Sequence, residues 1–282
     1  MNRKIFSLAV VLICIIAPGC ASLVSGAADD LSRAILNHDD PATVEAAAPA
    51  YLLMIDSLIG EEADDEELLR QGAALYAAYT GLFIEDGERA KRLSERAFLY
   101  GRQAICEYED ELCDVRRMPF AEFDEKLAAL DDTDDLPYLM TLAQSWLVWI
   151  RTHSDDWNAI ADLPRTEAIL ATVLRLDETF DGGNAHLYLG ILKTLRPPAL
   201  GGKPEDARAH FERAMEISGG HNLGAKVALA ENYARLVFDR ELHDRVLNDV
   251  LAADPRVRGL TLTNVVAQQR ARTLQAAADD YF

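Results

Sequence analysis

Histidine, cysteine and the carboxylates are the side chains that could bind metal or move protons, so their spacing is read first. The six histidines, His38, His153, His186, His210, His221 and His243, are scattered, and none belongs to an HExxH motif. No CxxC occurs, so the pattern of a structural zinc site is missing as well. The run Asp131-Asp132-Thr133-Asp134-Asp135 has the charge for calcium but lacks the glycine and distal glutamate of an EF-hand loop. It reads as a solvated connection between helices. Nucleophilic chemistry would show as a GxSxG elbow, and phosphate binding as a P-loop or GxGxxG turn. None of these is present, and Gly201-Gly202 and Gly219-Gly220 read as turns. A superhelical lytic transglycosylase carries Glu-Ser around its catalytic acid, and the sequence has no Glu-Ser dipeptide. No catalytic residue, cofactor site or metal ligand is expected.

The four cysteines divide by position. Cys14 lies in an apolar run, Ile5 to Ile16, interrupted only by Ser7 and preceded by Arg3 and Lys4. As a helix that run rises about 18 Å, short of a bilayer core of about 30 Å. It has the build of an export signal, which plays no part in the fold. Ala17-Pro18-Gly19-Cys20 ends it and resembles the lipobox of bacterial lipoproteins, with Ala17 and Pro18 in place of commoner residues. Residues 1–19 are therefore expected to leave, and Cys20 to carry the lipid. The alternative is an ordinary secretory signal cut near Ala27 or Ala28. Residues 20–40 read as a tether and 41–282 as a single body.

Cys106 and Cys113 remain, in a compartment that permits disulfides. On one straight helix seven residues separate Cα atoms by about 10.5 Å, beyond the roughly 7 Å that a bridge tolerates. A bond requires the helix to end within Glu107-Tyr108-Glu109-Asp110-Glu111-Leu112. We expect a Cys106–Cys113 staple at a helix end; two free thiols are the alternative.

The elements that must position these residues are helices. Segments of 3.6-residue periodicity run over 42–59, 65–85, 87–107, 120–130, 136–153, 164–179, 184–196, 204–218, 223–237, 239–252 and 258–278. Pro41, Pro164 and Pro204 stand near helix starts, with Asp64 and Asn184 as candidate caps. Gly60, Gly182-Gly183, Gly219-Gly220 and Pro255 stand at stops. Sustained strand-like alternation is missing. The expected class is all-α, a bundle or solenoid in which successive helix pairs bury one another's apolar faces. Half of the 282 residues are hydrophobic, which suits a packed body. The net charge is −19, or −21 once Arg3 and Lys4 leave, so an electrostatic hold on nucleic acid or anionic lipid is excluded.

Two stretches suggest tetratricopeptide-like repeats. Asn184-Ala185-His186-Leu187-Tyr188-Leu189-Gly190 has the Leu-Gly pair of a first helix, and Ala207, Phe211 and Ala214 have the second helix's small-large-small spacing. Leu229, Ala230 and Tyr233 begin the pattern again. Between Gly190 and Ala207 lies an excess, Arg196 to Gly202, in which Leu200 either touches a partner or plugs the core.

Pro198-Ala199-Leu200-Gly201-Gly202-Lys203-Pro204-Glu205-Asp206-Ala207-Arg208, then Phe211-Glu212-Arg213-Ala214, resembles the TatT family, the T component associated with TRAP (tripartite ATP-independent periplasmic) transporters. Leu262-Thr263-Asn264, Ala267, Ala271 and Leu274 resemble its ending. The resemblance implies a lipoprotein of the periplasm, more readily at the outer than the inner membrane, that holds the membrane through its lipid alone. It implies an adaptor rather than an enzyme, with a TRAP solute-binding protein as partner, a hydrophobic small molecule as possible ligand, and a homo-oligomer, a trimer among the options. A helical scaffold for envelope assembly, or a cell-wall enzyme, is the alternative. As ligand or partner contacts we single out Tyr138, Trp146, Trp149 and Tyr188, aromatics on apolar helix faces, together with Leu200. Core packing is the competing role for each.

Overall fold

The computed structural model describes residues 33–60, 64–195 and 202–282. Cys20 and Leu200 lie outside them, as do the signal, most of the tether and all but the last residue of the Pro197–Gly202 insertion. Among the described residues the regular elements are helices, with no strand. They are α1 (Pro41–Ile59), α2 (Glu66–Phe83), α3 (Gly87–Tyr108), α4 (Phe120–Ala129), α5 (Leu136–Thr152), α6 (Trp157–Ala161) and α7 (Leu163–Asp177). There follow α8 (Asn184–Thr194), α9 (Pro204–Ile217), α10 (Leu223–Ala228, continued by a wider turn over Leu229–Ala234), α11 (Arg240–Ala252), α12 (Thr261–Ala276) and α13 (Ala278–Tyr281).

Short-range chemistry explains most boundaries. Asp40, Asp65, Asp86 and Asp239 each accept a first-turn backbone N–H of α1, α2, α3 and α11. Pro41, Pro164 and Pro204 sit in first turns, where a missing N–H costs nothing. Two expected caps move by one residue. Asp65, not Asp64, caps α2 through Leu68 N at 2.8 Å. Asn184 is the first residue of α8, while Gly183 at φ 80° makes the corner before it. The C-terminal helix starts at Thr261 rather than 258, because the chain turns at Gly259 with φ 81°. Helices α6 and α13 are too short for periodicity to reveal. In α10 the Asn232 amide donates to the Ala228 carbonyl at 3.0 Å. That competes for the i−4 acceptor, and the helix widens there.

Packing proceeds largely between neighbours. The loop at 84–86 folds α3 back on α2, and α5 packs against both; α7 packs on α5, and α8 pairs with α9. Helices α10, α11 and α12 then pack on one another, and α12 also reaches α1. There Asn37 Oδ1 accepts the Gly259 N–H at 2.8 Å, tying the turn before α1 to the turn before α12. Apolar burial follows this order. Leu69, Ala73, Tyr76 and Tyr100 centre the first cluster, Phe123, Trp146, Ile169 and Leu170 the second, and Phe211, Ala230, Leu247 and Ala271 the third.

Candidate functional site

Helix α5 is buried nearly all round. Leu139, Leu142, Ala143, Trp146, Trp149 and Ile150 face the core, and a stripe of Gln144, Val148 and Arg151 is left with access to solvent. Spacings of four and three keep that stripe on one face. Opposite it on α2 is Gly81, where a Cβ would stand 3.9 Å from both Val148 Cγ2 and Arg151 Nη2. On the other flank the Gln144 amide lies close enough to the Asp181 carboxylate and the Tyr188 hydroxyl to work against the rise in both their pKa values. Asp181, at φ 50° ahead of α8, also accepts from Asn184 Nδ2 at 3.0 Å.

The electrostatics give this place its shape. Asp181 and Arg151 keep exposed surface, yet burial is the leading cause of their shifts, pushing the carboxyl up and the guanidinium down. Burial likewise pushes the Tyr188 phenol up to about 12. These groups stand together between α5 and the turn before α8, a polar surface patch in which burial still governs the titration. It offers one guanidinium, one phenol, one amide and one engaged carboxylate beside the aliphatic Val148.

The residues singled out from the sequence do not gather in one place. Trp146 has no exposed surface; its Nε1–H donates to Asp162 Oδ2 at 3.2 Å and its ring stacks on Phe98 at 4.9 Å. Trp149 is buried against the same Phe98 and beneath Arg116. Tyr138 is half-buried and stacks on Tyr108 with centroids 4.0 Å apart, far from both tryptophans along α5. The Tyr108 hydroxyl donates to Asp135 Oδ1 at 3.1 Å, and burial pushes that phenol up to about 12. Tyr188 lies in the patch with Gln144, Arg151 and Asp181.

Gln144, Arg151 and Asp181 were not singled out from the sequence. The signal was the polar break at Gln144 in an otherwise apolar helix, four residues from Val148 and seven from Arg151. The acidic run at 131–135 forms a capped turn, with Asp132 Oδ1 accepting Asp134 N at 2.9 Å. Among the described residues no group of three His, Cys, Asp or Glu is placed to hold a metal. Cys106 and Cys113 are bonded, with Cα atoms 4.1 Å apart, across the end of α3 at Tyr108.

The profile of a known family decides what kind of protein this helical body is. The profile of TRAP transporter T-components matches residues 37–282. The chain belongs to that family. No curated protein matches the sequence. The match covers the whole helical body of this T-component, from the turn before α1 to Phe282, and includes the polar patch around Gln144. Family membership assigns the protein an accessory role in TRAP transport, a bacterial system, and makes it a partner of that system's other subunits.

Proposed function

We propose that this T-component is a lipid-anchored, periplasm-facing adaptor that docks the solute-binding subunit of a TRAP system and holds or passes a ligand. The match over residues 37–282 carries the reading. Cys20 holds the lipid, and Ala21, where an aspartate would retain the protein at the inner membrane, favours the outer one. The patch around Gln144 takes the ligand, its apolar part along Val148 and its polar end near Gln144, Arg151 and Tyr188. Homo-oligomers, trimers among them, fit the same reading, since helical scaffolds offer broad surfaces for association.

Affinity-tagged protein extracted from membranes in detergent should bring a TRAP solute-binding protein with it. If purified T-component and the solute-binding protein encoded beside it fail to associate at tens of micromolar in low salt, the adaptor reading falls.

A further inference from the structure

Away from the Gln144 patch, on the side of α3 that faces α5, guanidinium groups concentrate over aromatic rings. The Phe98 and Trp149 rings lie with centroids 5.3 Å apart. Arg102 sits over Phe98, its guanidinium carbon 5.6 Å from the centroid, and Arg116 sits over Trp149 at 4.5 Å. Two cations therefore rest on adjoining rings, an arrangement that suits the weakly hydrated, planar guanidinium.

Their anions are unequally shared. Arg116 Nε donates to Asp162 Oδ2 at 2.8 Å, and the same oxygen accepts from the Trp146 indole. Arg102 has no such carboxylate. Its Nε is the one buried side-chain nitrogen or oxygen among the described residues that lacks a hydrogen bond. Arg116 and Arg117 repel it, adding to burial in lowering its pKa, and Asp114 alone opposes them. In a chain of net charge −19, a crowded guanidinium with an unused donor is a place that lacks an anion.

We propose that Arg102, flanked by Arg116 and Arg117, is the seat for a carboxylate side chain projecting from a protein partner. This face of α3 and the 109–119 loop is then where the solute-binding subunit docks, an assignment that rests on the adaptor reading above. A carboxylate accepts from two nitrogens of one guanidinium at once, and tipping Arg102 off the Phe98 ring brings Nε into that fork. Leu99, 43% exposed one turn before, supplies apolar rim. Arginine over aromatic rings is the composition of interface hot spots. An anionic bilayer fits poorly. The adjoining cleft of about 430 Å3 is lined by Asp110, Glu111, Asp114 and Glu122 beside Arg117 and Lys126. Those carboxylates repel a plane of phosphates, whereas a single projecting side chain passes between them.

The test reads the arginine Nε–Hε signals of the full mature chain by NMR, with a blocked Gly-Glu-Gly-Glu-Gly peptide as probe at millimolar concentration. The Arg102 signal should move and saturate. It should stay still with the Gln-for-Glu peptide, and Arg102→Gln should abolish the response without changing the melting curve. Arg102→Lys, which cannot present two donors in a plane, should restore little. With a solute-binding protein that binds the intact chain, Arg102→Gln should weaken the complex at least about thirtyfold, the low end of what truncating one partner of a hydrogen-bonded charge pair costs. An unmoved Arg102 signal, or an unchanged complex, overturns the proposal. So does inorganic phosphate moving the signal as strongly as the peptide, or flotation on phosphatidylglycerol vesicles that Arg102→Gln abolishes. If no solute-binding protein binds the intact chain, the adaptor reading fails, and the peptide still decides whether Arg102 seats a carboxylate.

Discussion

Asp56 fastens the first helix by two hydrogen bonds. Its carboxylate accepts the Tyr76 hydroxyl at 2.7 Å and the Tyr100 hydroxyl at 2.8 Å, from α2 and α3 respectively. Burial and this carboxylate together raise the Tyr76 phenol's pKa, and Arg96 supports Tyr100 from the far side. Asp56→Ala leaves two largely buried hydroxyls without an acceptor, which should cost about 2–3 kcal/mol in urea unfolding. A loss below about 0.5 kcal/mol would mean water replaces the carboxylate without penalty. A second residue-scale device is the His186 Nδ1 to His210 Nδ1 contact of 2.8 Å between α8 and α9. His186 Nε2 also meets Glu178 Oε2 at 3.4 Å, and Glu178 pairs with Arg213. Burial holds both imidazoles below their ordinary 6.5, against the pull of Glu178 on one and of Asp206 and Glu167 on the other, with Lys193 adding to the depression of His210. A depressed histidine takes its proton more readily unfolded than folded, so its contribution is complete above pH 6.5 and is lost as pH falls below it. Urea midpoints should therefore drop more steeply between pH 7.5 and 5.5 in the wild type than in His210→Gln. Parallel slopes would show that the pair is titration-neutral.

At the scale of elements, the α8–α9 contact is where sequence and structure agree most closely. A Cβ on Gly190 would stand 2.7 Å from Phe211 Cε1, and Phe211 is wholly buried with nowhere to retreat. Gly190→Ala should therefore destabilise by about 1–3 kcal/mol through overpacking, despite alanine's better helix propensity. A stabilised variant would show that α9 is free to shift. The Leu-Gly pair and the Ala207, Phe211, Ala214 spacing were legible because each marks a close approach, and close approach restricts residue size. That the helix must end between Cys106 and Cys113 for the two to meet was legible for a similar reason, and α3 ends at Tyr108; the staple itself is a proposal. We propose that it forms in the exported protein. Closing so short a loop, it should contribute about 2 kcal/mol, read as a lower melting temperature with reductant; two thiols alkylated without reductant would remove it. The patch around Gln144 was not legible. Gln144, Arg151, Asp181 and Tyr188 come from two helices and the turn between α7 and α8, and periodicity tells which face a residue takes, not which faces meet. Trp146 and Trp149 misled for the complementary reason. An aromatic on an apolar stripe looks alike whether it lines a cavity or fills the core, and here Trp146 fills it.

The whole molecule sets two attachments against each other. The body carries −21 after export, by the sequence reading, so an anionic membrane repels most of its surface. Helix α1 is the exception. It is 19 residues long with mean hydropathy 1.3, yet only 28% of it is buried. Leu53 at 72% exposure, Met54 and Leu58 lie on its open side, while Leu52, Ile55 and Ile59 hold the core. An apolar helix face of this kind can adhere to lipid weakly, but the helix has no basic residue and Tyr51 is its single aromatic, whereas strong interfacial helices carry Lys and Arg on the polar face. We therefore assign retention to acyl chains on Cys20, since two or more chains hold where one is marginal. Cys20→Ser, exported through the same signal, should appear in the soluble periplasmic fraction, whereas the wild type stays with membranes through high-salt and alkaline washes. Mass spectrometry of the mature N-terminus should find a lipid-modified Cys20; an unmodified start near Ala28 would sink the anchor. Adding Leu53→Asp and Leu58→Asp to Cys20→Ser separates the two attachments. If Cys20→Ser alone remains on membranes and the triple variant leaves them, α1 is the holdfast and the lipid is secondary. If Cys20→Ser alone is already soluble, the open face of α1 is free for a protein.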